Sequence, residues 1–188
     1  MTFELTTDGA YFSQSKLATY GYVIEETSTN KTITVAKKAK LVSDPEKLKY
    51  GQVYAELRAV LDGIGECIKF YKQNKAAERD KLFIVIQYDY IGIEKWAKNL
   101  WKANNEVTQR YRELMNSYIQ EYTIFFSKLN THTGKNKEVH DLIQLKEIGK
   151  GVFEFDDVTF VNLTTNDPEI NKFFKEYYAR TSETKKDN

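Results

Sequence analysis

Leu82-Phe83-Ile84-Val85-Ile86-Gln87-Tyr88-Asp89 is the stretch on which the fold turns. Its first five residues are apolar without alternation. They predict a strand buried on both faces, lying centrally with helices covering the sheet. Asp89 follows just beyond it, and the carboxyl ends of sheet strands are where α/β proteins collect ligands. Downstream, Gly92 to about Lys102 predicts a helix. Glu106 to Gln120 predicts another, with Val107, Tyr111, Leu114 or Met115, and Tyr118 inward. Tyr122 to Leu129 reads as a last strand, residues 130–136 as a loop and about 137–149 as a helix.

Upstream, a helix is expected from about Val53 to Tyr71. Val53, Leu57, Val60, Ile64, Cys67 or Ile68, and Tyr71 fall on one stripe. Gly63 and Gly65 cost it roughly 1 kcal/mol each relative to Ala, which close approach of the helix to a sheet would explain. Phe3 to Thr7 alternates as a strand does and ends at Asp8-Gly9, a turn signature. Residues 10–17 read as a turn. Ala18 to Glu26 and Lys31 to Ala36 are β-rich, separated by Thr27-Ser28-Thr29-Asn30, which completes an antiparallel three-strand meander. Pro45 marks a loop. The order β-β-β-α-β-α-α-β-α is that of a mixed α/β domain.

At 188 residues, 41% hydrophobic and 29% charged, the chain has the length and balance of a globular domain with a sizeable core. No apolar run approaches the roughly 20 residues of a membrane helix, and Met1 to Leu5 does not open a signal peptide. Cys67 is alone, which excludes a disulfide framework or a cysteine zinc site. It is expected to be a small core residue. A reducing, cytoplasmic setting and a monomer are the default expectations. A net charge of +1 means that any nucleic-acid binding surface must concentrate lysines locally.

After Gly149-Lys150-Gly151 the character changes, so residues 1–150 are expected to form one domain and 151–188 an extension. Val152 to Leu163 alternates like a strand. Pro168 to Tyr178 reads as a short helix capped by Asp167, and Thr181 to Asn188 as a disordered tail. The extension could pack back on the domain, mediate dimerisation or contact substrate.

Four acids stand in settings acids rarely occupy. Glu56 lies on the helical stripe, one turn before Val60, so its carboxylate points toward the sheet. A buried unpaired charge is costly, and such an acid needs a partner: a lysine, an arginine or a cation. Asp8 follows a strand directly, Asp89 lies beyond the central strand, and Asp141 sits near the start of the last helix. Taken singly, Asp8 could serve a turn and Asp141 a helix dipole. Converged, four carboxylates would repel one another and raise one another's pKa values, a cost that a hard divalent cation removes. All-oxygen ligands favour magnesium or manganese over zinc. Two such ions would stabilise both the attacking and the leaving oxygen of a phosphoryl displacement.

Thr7-Asp8-Gly9-Ala10 with Tyr20-Gly21-Tyr22-Val23-Ile24 resembles the opening of the type 1 ribonuclease H family. Ala55-Glu56-Leu57-Arg58-Ala59-Val60 is similar to its second motif. Tyr88-Asp89-Tyr90-Ile91-Gly92-Ile93-Glu94-Lys95-Trp96, followed by Trp101-Lys102-Ala103-Asn104, resembles a bacterial and viroplasmin-linked branch. His132-Thr133-Gly134 with Asn136 and Asp141 resembles the last motif. The match runs in order from about residue 3 to 149.

The resemblance implies a ribonuclease H-like mixed five-stranded sheet flanked by helices, with a C-terminal extension. It implies Asp8, Glu56, Asp89 and Asp141 as ligands of two Mg2+ or Mn2+ ions, and His132 as a loop histidine assisting proton transfer or product release. It places at Gln52 an amide that contacts the minor groove of an RNA–DNA hybrid. The implied reaction is endonucleolytic hydrolysis of the RNA strand, leaving 5′-phosphate and 3′-hydroxyl ends. The alternative is a non-catalytic module of the same fold that binds nucleic acid or protein. Two departures stand out. His132 precedes Asp141 by nine positions, one fewer than the commonest pattern, and His140 stands where a small residue is usual. A long basic protrusion is missing. Lys95, Lys98 and Lys102, near Trp96 and Trp101, either substitute for it or form a solvated face over buried tryptophans.

Overall fold

The computed structural model describes residues 1–27, 32–74, 81–131 and 133–155, with isolated positions 168, 171, 172, 175 and 176. Three antiparallel strands open it: β1 (Thr2–Phe12), β2 (Leu17–Glu26) and β3 (Ile33–Val42). A short helix α1 (Pro45–Leu48), capped by Asp44, leads into the long helix α2 (Gly51–Gln73). Then follow β4 (Phe83–Tyr88), α3 (Gly92–Ala97), α4 (Glu106–Glu121), β5 (Thr123–Lys128), α5 (Gly134–Leu142), a 3-10 turn over Leu145–Lys150, and β6 (Phe153–Phe155). The sheet order is β5-β4-β1-β2-β3-β6; β4 runs parallel to β1 and β5, and β6 parallel to β3. This is the expected mixed sheet flanked by helices, with a sixth strand added at its edge.

That sixth strand opens the alternating segment read from Val152; its remainder lies outside the described residues. So do Ser28 to Asn30, Asp167 and the tail from Thr181. Positions 168, 171, 172, 175 and 176, on the expected Pro168–Tyr178 helix, are helical.

Asp8-Gly9 is not a turn. The ladder continues through it, Asp8 opposite Gly21 and Gly9 opposite Tyr20, to Phe12 opposite Leu17. Glycine is required there by the helix and not by the backbone angle. A Cβ on Gly9 would lie 2.5 Å from the Glu56 nitrogen and 2.6 Å from the Ala55 carbonyl carbon. Strand β3 also outruns its expected end at Ala36. Its lysines hid the period of two: Lys38 and Lys40 pair with Glu66 and Asp62 of α2, while Ala39 and Leu41 are buried in the core on the α5 side.

Helix α2 covers one face. Leu57, Val60, Ile64 and Cys67 pack with Phe3, Leu5, Ile24, Ile84 and Ile86. Burying such side chains contributes roughly 1.5–3 kcal/mol each for the larger ones. Close approach explains Gly63, whose Cβ would meet Leu5 Cδ1 at 2.4 Å; Gly65 is exposed with nothing within 4 Å, so that explanation does not extend to it. Strand β4 is internal but fully buried on one face only, that of Ile84, Ile86 and Tyr88. On the other, Gln87 accepts from Thr6 Oγ1 at 2.8 Å and donates to Glu4 at 3.2 Å, a polar strip that an apolar run did not foretell.

Helix α5 covers that second face over β1 and β2. Val139 and Ile143 pack with Leu17, Val23 and Leu41, and Thr19 Oγ1 donates to the Ile143 carbonyl at 2.7 Å. The helix begins earlier than expected, at Gly134, and ends well before residue 149, so Asp141 falls in its last turn and not near its start. Helix α3 likewise stops at Ala97, because Asn99 takes a left-handed φ of 58°.

Candidate metal centre

Each element delivers one side chain to the C-terminal end of β4. Asp8 comes from the middle of β1, Glu56 from α2 where it touches Gly9, and Asp89 from the residue after β4. One carboxylate oxygen of each lies within 4.8 Å of the others. Asp8 is 4% exposed and Glu56 1%, while Asp89 is half-buried, so the cluster opens toward solvent on its Asp89 side.

Hydrogen bonds meet part of this charge. Asp8 Oδ1 accepts from the Gly9 N–H at 2.9 Å. Glu56 Oε1 accepts from Gln52 Nε2 at 3.2 Å, but Glu56 Oε2 is buried without a hydrogen-bond partner. Burial first, then the charge of Asp8, push the Glu56 carboxyl well above the usual carboxylate range; the Gln52 amide pulls it back in part, and Asp89 and the Gly9 N–H make smaller, opposed contributions. An orphaned carboxylate oxygen inside an all-oxygen cluster is a donor set that fits a hard divalent cation such as Mg2+ or Mn2+.

Asp141 is not part of the cluster. Its side chain is 54% exposed and pairs with Lys137 one turn back on α5, whose ammonium holds the Asp141 carboxyl below its ordinary range. In its stead α5 turns His140 inward, with Nδ1 3.1 Å from Asp8 Oδ2. Successive residues of a helix point about 100° apart, so one residue of register exchanges the side chain that faces the sheet. His132 lies outside the described residues.

Beside Asp89, Tyr90, Trp96 and Trp101 form a chain of tilted and edge-on rings, with centroids 6.1 and 5.5 Å apart. The tryptophans are not buried; Trp101 is 41% exposed. Lys98 is committed to Glu94 at 2.6 Å and lies 5.4 Å from the Phe126 ring centroid, whereas Lys102 is exposed. Lys95 is half-buried. Gln52 is exposed at the mouth of the cluster, tied to Glu56.

Strand order, helix placement and carboxylates at the end of β4 define a ribonuclease H-like fold. No family model matches the chain, and no curated protein matches it. Solved structures do. The RNase H1 of the halophilic archaeon Halobacterium salinarum aligns over 80% of this chain and 99% of its own, with a TM-score of 0.57 and 16% identity. The N-terminal RNase H domain of a Mycobacterium tuberculosis protein aligns over 76% and 96%, with a TM-score of 0.57 and 12% identity. LC11-RNase H1, solved in complex with an RNA/DNA hybrid, aligns over 75% and 93%, with a TM-score of 0.56 and 13% identity. At these identities the likeness establishes the fold.

Proposed function

We propose that this chain is a metal-dependent endonuclease that hydrolyses the RNA strand of RNA–DNA hybrids, leaving 5′-phosphate and 3′-hydroxyl ends. The observation that carries this reading is the triad of buried Asp8 and Glu56 with half-buried Asp89, and its orphaned Glu56 oxygen, on a ribonuclease H-like fold. The hybrid bound to LC11-RNase H1 supports the substrate class. The motif Tyr88 to Trp96 with Trp101 to Asn104 supports the bacterial and viroplasmin-linked branch. Residues 1–150 are proposed as the catalytic unit and 151–188 as an extension to it.

Asp8, Glu56 and Asp89 would hold Mg2+ or Mn2+, two ions in the proposed scheme. Such ions would neutralise phosphate charge and lower the pKa of water, so that hydroxide is available as the nucleophile near neutral pH. The chain's own residues do the rest. Gln52 keeps Glu56 Oε1 fixed and offers an exposed amide to the minor groove. Trp101 and Lys102 present an exposed ring and a cation at the far end of the ring chain that starts at Tyr90, suited to a nucleic-acid backbone. His132 is proposed to move a proton or release product. RNA is told from DNA by contacts to 2′-hydroxyls and by the shape of the duplex.

A non-catalytic module is the second reading; the exclusion of Asp141 from the cluster favours it. A panel of hybrid, duplex RNA, duplex DNA and single strands, labelled on each strand, separates the two. Cutting of the RNA strand in the hybrid alone supports the nuclease. Binding of hybrid with no cutting in Mg2+ or Mn2+ supports the module.

A further inference from the structure

From α5 a histidine reaches Asp8. His140 Nδ1 is 3.1 Å from Asp8 Oδ2. On the far side of the ring, Gln144 Nε2 lies 3.1 Å from His140 Nε2, and the same nitrogen donates to the His140 carbonyl at 2.9 Å. The carbonyl can only accept, so it fixes which end of the Gln144 amide faces the ring. The amide has a second hydrogen to offer, and His140 Nε2 is the group within reach of it. Nε2 is therefore the accepting nitrogen, and the ring hydrogen sits on Nδ1, directed at Asp8. Asp8 is held from both sides: Oδ1 by the Gly9 N–H and Oδ2 by the imidazole.

We propose that His140 is the positioning residue of this site. It takes on α5 the place that the motif spacing gave to Asp141, and the relay from Gln144 through His140 presents Asp8 to a divalent cation. The proposal rests on the metal-site reading above. It changes the nature of the fourth side chain, which is an orienting hydrogen-bond donor and not a fourth carboxylate. Partners of this kind, one shell out from a metal ligand, typically govern its affinity by about 10- to 100-fold. Asp141 cannot share the role, because it points to solvent and is held by Lys137.

The test is Mn2+ binding by the full chain, read from the electron paramagnetic resonance signal of the free ion, with circular dichroism as a check on folding. His140→Ala is expected to bind Mn2+ about tenfold more weakly or worse. His140→Asn is expected to recover most of that loss, since its amide nitrogen stands at the same remove from Cβ as Nδ1 and can donate to Asp8. Gln144→Ala should fall between wild type and His140→Ala, and Asp141→Asn should match wild type. Wild-type affinity in His140→Ala, an Asn variant no better than Ala, or an Asp141→Asn loss equal to that of His140→Ala would overturn the assignment. If wild type binds no Mn2+, or if Asp89→Asn leaves its affinity unchanged, the metal-site reading itself fails, and the assignment with it.

Discussion

Gly9 and Glu56 meet backbone to backbone: a Cβ on the glycine would stand 2.5 Å from the glutamate's nitrogen. This contact sets the site. It brings α2 down onto β1 one residue after Asp8, so two carboxylates from distant parts of the sequence end in one cluster.

Gly9→Ala should therefore damage both fold and site. Neither neighbouring backbone can rotate away, so the extra carbon must push the helix off the strand, at a cost of about 1–3 kcal/mol or more. Gly65→Ala, in the same helix with nothing within 4 Å, should instead stabilise by about 0.5–1 kcal/mol. Urea denaturation of both variants reads the contrast. Equal effects would mean that α2 does not bear on β1 as described.

Glu56 makes the metal-free protein sensitive to pH. Its folded pKa is raised, by burial and then by Asp8 and Asp89, above the ordinary 4.5. Between those two values the folded state holds more protons than the unfolded one, so the contribution of Glu56 to stability falls as pH rises through that window. Glu56→Gln should be more stable than wild type at pH 7 in chelator, and the difference should shrink toward pH 4.5. It should also lack hybrid cleavage. Parallel stability–pH curves for the two proteins would count against a strained carboxylate.

Lys102 is the exposed cation beside Trp101, whereas Lys98 is already paired with Glu94. If the former contacts a phosphate, Lys102→Ala should weaken hybrid binding and reduce the slope of log affinity against log salt by about one. Titration of a fluorescent hybrid at several salt concentrations gives that slope. An unchanged slope would return Lys102 to a solvated face.

The sequence announced much of this through period and punctuation. The apolar run at 82–86 placed β4, the stripe from Leu57 to Ile64 placed α2, and the odd burial of Glu56 drew attention to the triad that the structure assembles. What was hidden depended on contacts across the fold. Asp8-Gly9 has turn chemistry, yet pairing with Gly21 and Tyr20 carries it through as a strand with α2 against it. Lys38 and Lys40 read as the end of β3 because their partners, Glu66 and Asp62, lie on another element. Near residue 140, one residue of helical register decides between His140 and Asp141. Motif spacing marks the neighbourhood without fixing which of the two turns inward.

Cleavage of a hybrid duplex labelled on its RNA strand, in Mg2+, Mn2+ or chelator, with wild type beside Asp89→Asn, tests the central claim most directly. Metal-dependent cutting of the RNA strand alone, abolished in the variant while its circular dichroism is unchanged, is the predicted result. Cutting that survives chelator, or more than a few per cent of activity in Asp89→Asn, would contradict it.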